Sequence, residues 1–257
     1  MRSSEPAVGY APPVTSPPFS RLAEVYDEIM ADVDYDDWLD FLLREARNRG
    51  APEGRILDLA CGTGNATAPA LVRGLDVDGL DASNAMLAVA RAKLPGVVFH
   101  QADARSFELP HHYALVYSVF DALNNLLDDR SFLATARSVR AHLVPGGVFA
   151  FDANTTQGLR QLWVDGRAEG WAGEVYYRWT HHYDDARALA TVEAYCDGPE
   201  GDFTEVHHEK PYDPADLERL LHEAGFGRVD VVRYPSGERA THEDERVWAF
   251  ATVEPRA

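Results

Sequence analysis

Arg55-Ile56-Leu57-Asp58-Leu59-Ala60-Cys61-Gly62-Thr63-Gly64-Asn65 is the stretch whose reading decides the fold. Ile56 to Ala60 is a short apolar run, the pattern of a buried strand. It ends in Gly62-Thr63-Gly64, and a segment of helical period follows. Glycines at a strand-to-helix turn let the backbone take φ values that other residues resist, and let a ligand approach the main chain. Seventeen residues after Gly64, the run Leu75-Asp76-Val77-Asp78-Gly79-Leu80 reads as a second strand and delivers Asp81. A carboxylate at that place can accept from both hydroxyls of a ribose.

Two ligand classes use this geometry. A dinucleotide wants Gly-x-Gly-x-x-Gly and a free helix N-terminus for its pyrophosphate. Here Thr67 stands at the third glycine position, and Asp58 sits at the end of the first strand. That carboxylate suits a cationic amino-acid head better than a diphosphate. The stretch Asp58 to Gly64, with Asp81 in register, resembles motif I of the class I S-adenosylmethionine-dependent methyltransferases. The resemblance implies a Rossmann-like α/β fold, with a mostly parallel sheet of seven strands and helices on both faces. It also implies S-adenosylmethionine as cofactor and S-adenosylhomocysteine as product.

The chain has 257 residues, 46% hydrophobic and 26% charged, which describes a globular chain able to bury a full core. It holds no apolar run long enough for a membrane helix, and its start lacks the apolar region of a secretion signal. The two cysteines, Cys61 and Cys196, make no disulfide framework, so a cytoplasmic setting is the default expectation. A net charge of −18 disfavours a nucleic-acid partner. No membrane partner is expected, and the sequence is silent on oligomeric state.

Residues 1–18, rich in proline, read as a flexible tail. A Rossmann-like cofactor-binding domain with N-terminal helices is expected over residues 19–153. Its first helices run from Ser20 to Met30 and from Asp36 to Arg49. Phe19, Tyr26-Asp27, Tyr35 and Trp38 resemble the N-terminal helices of small-molecule methyltransferases, which implies Tyr26 and Trp38 near the cofactor. Plain amphipathic packing is the alternative for both. Helices at Asn65–Arg73, at Ser83–Lys93 and after a cap at Asp129 alternate with strands at Val97–Ala102, Tyr113–Val119 and Val148–Asp152. Such alternation gives a parallel sheet with right-handed crossovers. Leu143-Val144-Pro145-Gly146-Gly147 is a second methyltransferase signature and reads as a turn feeding the fifth strand.

From the resemblance, Asp58, Ala60, Gly62, Gly64 and Asn65 would hold the methionine part, and Asp81 with Ala82 the ribose. Met86, Asp103 and Ala104 would meet the adenine, with a plain core methionine and a turn aspartate as the alternatives for the first two. Ser118 and Phe120, after the fourth strand, would line the sulfonium. Asp121 and Asn124 would point to the methyl-transfer centre, with a loop or cap role open for Asp121.

Over residues 154–212 the pattern changes to alternating runs, Glu174–Tyr183, Leu189–Tyr195 and Phe203–Lys210, with a turn at Asp197-Gly198-Pro199-Glu200-Gly201. This predicts an antiparallel cap of about three strands over the sheet's ligand edge. Its aromatics, Trp163, Trp171, Tyr176, Tyr177 and Trp179, are either pocket walls or the cap's own core. Residues 213–257 read as a last helix, opened by Asp213-Pro214, and a strand pair that completes the first domain.

Glu205, His207, Lys210 and Tyr212 resemble a family pattern Glu-x-His-x-Gln-Arg-x-Tyr, with departures at Glu209 and Lys210. On a strand, Glu205, His207 and Glu209 share a face. A carboxylate beside His207 would raise its basicity. Glu205 and His207, with Asp121 as the resemblance implies, are the expected catalytic groups, a solvated strand face with charged partners being the alternative for His207. Asn124 and Tyr212 are the substrate contacts that the resemblance implies. Paired histidines at 181–182 and 207–208 point oppositely along a strand, so no metal is expected.

The reading is a methyltransferase moving a methyl group to nitrogen or oxygen of a small molecule. A nicotinamide oxidoreductase and a non-catalytic S-adenosylmethionine-binding protein are the rivals. A tRNA or protein acceptor is disfavoured by charge.

Overall fold

The computed structural model describes residues 15–162, 166–199 and 201–255. The tail expected over residues 1–14, Trp163 and Glu200 lie outside the described residues. The described residues open with a two-residue strand, β1 (Thr15–Ser16), then a 3-10 turn over Arg21–Glu24 and a single helical turn, α1 (Tyr26–Ile29). The helix expected from Ser20 to Met30 is thus broken. Phe19 sits at φ +56°, and Val25 joins the two turns. α2 (Tyr35–Asn48) follows, its first turn capped by the Asp34 side chain, which accepts from Asp37 N at 2.9 Å.

The cofactor-type sheet then builds in alternation. Its elements are β2 (Ile56–Leu59), α3 (Thr67–Val72), β3 (Val77–Asp81), α4 (Asn84–Lys93), β4 (Val98–Gln101), β5 (Tyr113–Ser118), α5 (Asp129–His142) and β6 (Leu143–Asn154). Strand β6 takes in the signature read as a turn. Leu143 already pairs with Tyr113, and a register shift before Leu115 absorbs the two glycines. The cap of α5 is Asp128 and not Asp129, its carboxylate accepting from Ser131 N at 2.7 Å.

Period two decides both faces of this sheet. Leu57, Leu59, Val116, Phe149 and Phe151 pack against the α5 side, and Ile56, Leu115, Tyr117, Val148 and Ala150 against α2 and α3.

After β6 come α6 (Thr156–Gln161) and a meander of four strands, β7 (Arg167–Ala172), β8 (Val175–Asp184), β9 (Leu189–Gly198) and β10 (Gly201–Glu209). The cap therefore has one strand more than its alternation predicts, and β1 extends it by pairing parallel to β10. Residues 15 and 16, expected as tail, are a strand edge of the cap. The chain closes with α7 (Pro214–Glu223), β11 (Arg228–Val232) and β12 (Arg246–Thr252).

The seven-stranded sheet has the order β11-β12-β6-β5-β2-β3-β4, with β12 antiparallel to both neighbours. The chain builds outward from β2 to β4 and returns to β5 on the other side of β2. That reversal is the switch point at which open α/β sheets bind ligands, beyond the strands' carboxyl ends. The cap's inner face lies over the same ends.

Candidate active site

The turn after β2 is shaped by left-handed residues: Ala60 at φ +58°, Gly62 at +54° and Gly64 at +82°. At Gly64 the left-handed conformation favours glycine, and an added Cβ would also press on Leu94 Cδ1 at 3.1 Å. Asp58 is buried at the strand end and accepts from Thr67 Oγ1 at 2.5 Å. Burial pushes its carboxyl up to about 7, against the pull of the Thr67 and Tyr117 hydroxyls. Asp81, at the tip of β3, binds the turn directly. Its Oδ2 accepts from Gly62 N at 2.8 Å and its Oδ1 from Ser83 N at 2.7 Å. Burial raises this carboxyl too, offset in part by those backbone donors.

The N-terminal segment straps these tips down. Ser83 Oγ donates to Phe19 O at 2.6 Å, and Thr63 Oγ1 to Asp27 Oδ1 at 2.5 Å. Lys93 Nζ reaches Asp27 Oδ2 and Asn65 Oδ1, both at 2.6 Å. From the cap, the buried Glu205 carboxylate accepts from Phe19 N at 2.7 Å, Leu22 N at 2.9 Å, and Ser20 N and Oγ at 3.1 Å each. Burial pushes this carboxyl up, but His207 and the backbone donors outweigh it and hold Glu205 below its ordinary range. Leu22, Val175, Cys196 and Phe203 form a small apolar core between strap and cap.

Strap, cap and strand tips enclose a cavity of about 340 Å³. Its walls include Phe19, Tyr26, Ile29, Phe120, Tyr177 and Trp179, and its polar lining includes Asp121, Asn154, His207, Glu209 and Arg246. Arg246 donates to Asp121 Oδ1 at 2.9 Å and to Asp152 Oδ2 at 2.6 Å. Asn154 Nδ2 donates to Asp121 Oδ2 at 3.1 Å and lies 3.5 Å from Glu209 Oε2. Two carboxylates thus share one guanidinium, and a third, Glu209, joins the cluster through Asn154. Burial, then the charge of Asp121, pushes Glu209 up to about 8. Burial holds Asp152 at about 6, even with Arg246 pulling it down. His207 is buried with neither ring nitrogen hydrogen-bonded. Nε2 stands 3.4 Å from Glu205 Oε2 without hydrogen-bond alignment.

A family model described as a methyltransferase domain matches residues 56–147, the segment from β2 into β6. A solved S-adenosylmethionine-dependent methyltransferase from Clostridium acetobutylicum superposes with a TM-score of 0.78 at 27% identity, covering 91% of this chain and 98% of that one. The chain is a class I S-adenosylmethionine-dependent methyltransferase. YqeM of Bacillus subtilis, named as a methyltransferase, is 28% identical over 217 residues, 81% of this chain and 86% of that protein. The dTDP-3-amino-3,6-dideoxy-alpha-D-glucopyranose N,N-dimethyltransferase of Streptomyces fradiae is 28% identical over 214 residues, 80% and 82% of the two chains. The cofactor of the methyltransferase is S-adenosylmethionine, and the nicotinamide and non-catalytic rivals fall away.

Several residues expected in the methyltransferase's site have other partners. Glu205 does not line the cavity, and backbone amides occupy its carboxylate, so it is an anchor for the strap. Tyr212 is fully buried 4.8 Å from the Phe132 ring, and its hydroxyl donates to Leu126 O. Asn124 is also fully buried; its amide donates to Asn154 O at 2.9 Å and Lys210 O at 2.8 Å and accepts from Asn154 N at 3.0 Å. Both residues clamp the backbone and do not face an acceptor. Asp103, expected at the adenine, holds Arg105 in a two-pronged ion pair, which lowers its carboxyl below the usual range.

Tyr26, Phe120, Asp121 and His207 come together in the cavity lining. Trp38 stands behind it, 5.7 Å from the Phe120 ring and beneath the Arg246 guanidinium. Met86 is buried at the start of α4, and Ser118 Oγ is buried without a partner at the end of β5. Asn154, Asp152 and Arg246 were not singled out by sequence. Among the described residues, no group of three His, Cys, Asp or Glu side chains is arranged to hold a metal. Nor is any described helix long and apolar enough to cross a membrane.

Proposed function

We propose that this enzyme methylates an amino nitrogen of a small molecule, with Glu209 taking the proton. Residues 19–153 and 213–257 form the cofactor-binding unit in this reading, and residues 154–212 the acceptor cap. The strand tips fit the cofactor's chemistry. Asp81 has lone pairs left for ribose hydroxyls, and Asp58, held near neutrality by burial, gains from a cationic amino group close by. The open backbone of Ala60, Gly62 and Gly64, with Asn65, would take the methionine part. Ala82, Met86 and Ala104 would line the adenine end, where Asp103 must share its carboxylate with Arg105. Tyr26 and Phe120 would face the reacting end, with Trp38 and Ser118 supporting them from behind. When bound, S-adenosylmethionine supplies a methyl group on a good leaving sulfur, so the protein contributes alignment and a proton acceptor.

The observation that carries the proposal is the surplus of carboxylates at the cavity floor. Asp121 and Asp152 take the Arg246 guanidinium, and Glu209 stands beside them without an ion pair of its own, pushed up to about 8 by burial and then by the charge of Asp121. An alkylammonium entering there relieves that repulsion. It would then pass a proton to the Glu209 carboxylate, leaving the nitrogen lone pair free and aligned towards the reacting end of the cavity. The Streptomyces fradiae relative is an amine N,N-dimethyltransferase by name, which supports the same class of acceptor.

In the Glu209→Gln variant, kcat/KM should fall by about 10²–10⁴-fold, and the limb of the pH profile that rises towards pH 8 should vanish. A variant with the wild-type rate and profile would remove Glu209 from the mechanism. A second reading rests on His207, which lines the cavity and whose buried ring nitrogens make no hydrogen bond. There it would deprotonate a hydroxyl acceptor, and His207→Ala would then be the more damaging change.

A further inference from the structure

We infer that the acceptor is a compact amine with an apolar, ring-bearing body and no phosphate, a substrate class that rests on the N-methylation reading above. The cavity sorts its lining by polarity. Asp121, Asn154, Glu209 and Arg246 are gathered into one mutually bonded cluster. The cap wall opposite offers Ala168, Tyr177, Trp179, Val192 and Ala194. Strand alternation explains the apolar wall. Tyr177 and Trp179 of β8 point inward, whereas Arg178 between them points to the other face and stacks on Tyr195 at 4.9 Å. Trp179 pairs across to Ala168 on one side and Ala194 on the other. The cavity reaches Trp179 and both of these alanines, an aromatic and apolar wall of the kind that takes an apolar ring.

A nucleotide-linked acceptor meets the opposite environment. Its diphosphate needs unpaired cations or helix N-termini. Among the described residues lining the cavity, Arg246 is the cation, and Asp121 and Asp152 already take its guanidinium. The remaining charges there are carboxylates, which repel phosphate. A volume of about 340 Å³ also lies at the small end of ligand sites. The amine end is thus read by Asp121 and Glu209, and the body by the Trp179 wall.

Release of S-adenosylhomocysteine by the full chain tests this with three acceptors: phenethylamine, the dTDP-amino sugar of the Streptomyces fradiae relative, and catechol. Phenethylamine should be turned over with kcat/KM about ten-fold or more above that of the sugar. Trp179→Ala should raise its KM about ten-fold with kcat little changed, and Trp179→Phe should restore it. Trp179→Arg, which adds a cation to the wall, should shift preference towards the sugar. If the dTDP-amino sugar is preferred by the wild-type protein, this inference is overturned and N-methylation stands. Turnover of catechol with neither amine, or of none of the three, overturns both.

Discussion

Asp81 joins two strand tips through one side chain, because Gly62 N and Ser83 N both donate to it. Removing it takes away the ribose acceptor and leaves two backbone donors at the turn without a partner. Asp81→Ala should therefore weaken S-adenosylmethionine binding by about 10–100-fold, the size expected for losing charged hydrogen bonds. Titration calorimetry measures this directly, and an unchanged Kd would refute the assignment. Asp81 was legible because a strand's end is fixed by local pattern, and its spacing from Gly64 places it beside the glycine turn. Arg246 was not. Its partner Asp121 lies 125 residues earlier, and nothing local marks an arginine at the start of a last strand as the counter-ion of a cavity floor. Asn124 and Tyr212 show the converse. Their letters fit a substrate-contact motif, yet a buried amide and a buried phenol are equally suited to clamping irregular backbone, and that is the role the fold gives them.

The strap from Phe19 to Met30 has little structure of its own: one 3-10 turn and one helical turn. What holds it is Glu205 of β10, whose carboxylate gathers three backbone N–H groups and the Ser20 hydroxyl. Without that carboxylate, buried donors lose their acceptor and the strap loses its register against the cap. Glu205→Ala should lower unfolding stability by about 3 kcal/mol, within the range for breaking a buried charged group from its partners. Limited proteolysis should also cut first within residues 17–30, with KM raised for both cofactor and acceptor. A midpoint in urea equal to wild type would show that Glu205 does not anchor the strap. Sequence reading assigned this glutamate to catalysis because period two puts it on the face of His207 and Glu209. It does share that face, but the strap covers its end of the strand. The parallel sheet, the crossovers and the cap's main strands were legible because their periods are local. A two-residue β1 and the weakly alternating β7 (Arg-Ala-Glu-Gly-Trp-Ala) carry too little pattern and form only because an edge is there to pair with.

At the scale of the molecule, acid dominates: the chain carries −18. Several carboxyls are held above their ordinary range by burial, Asp152 at about 6, Asp58 at about 7 and Glu209 at about 8. In the unfolded chain these groups titrate near ~4. Between roughly pH 4 and 8 these carboxyls make the folded protein bind more protons than the unfolded one. They outnumber His100 and His181, which burial lowers and which act oppositely below about pH 6.5, so stability falls as pH rises through that window. The lowered carboxyls, Glu205 and Asp103 among them, act oppositely, their contribution lost only as pH drops below the ordinary carboxylate range. The ligand-free protein should thus be most stable near pH 5 and lose melting temperature steadily towards pH 8.5. Self-repulsion of the net charge acts in the same direction. A cationic ligand reverses the cost, because it favours the ionised carboxylates. The rise in melting temperature on adding S-adenosylmethionine should accordingly be larger at pH 8 than at pH 6. Thermal melts at matched ionic strength across pH 5–8.5, with and without the cofactor, measure both slopes. A ligand-free melting temperature that climbs from pH 6 to 8, or a cofactor shift that does not change with pH, would mean that these carboxyls are not the groups that bind the cations.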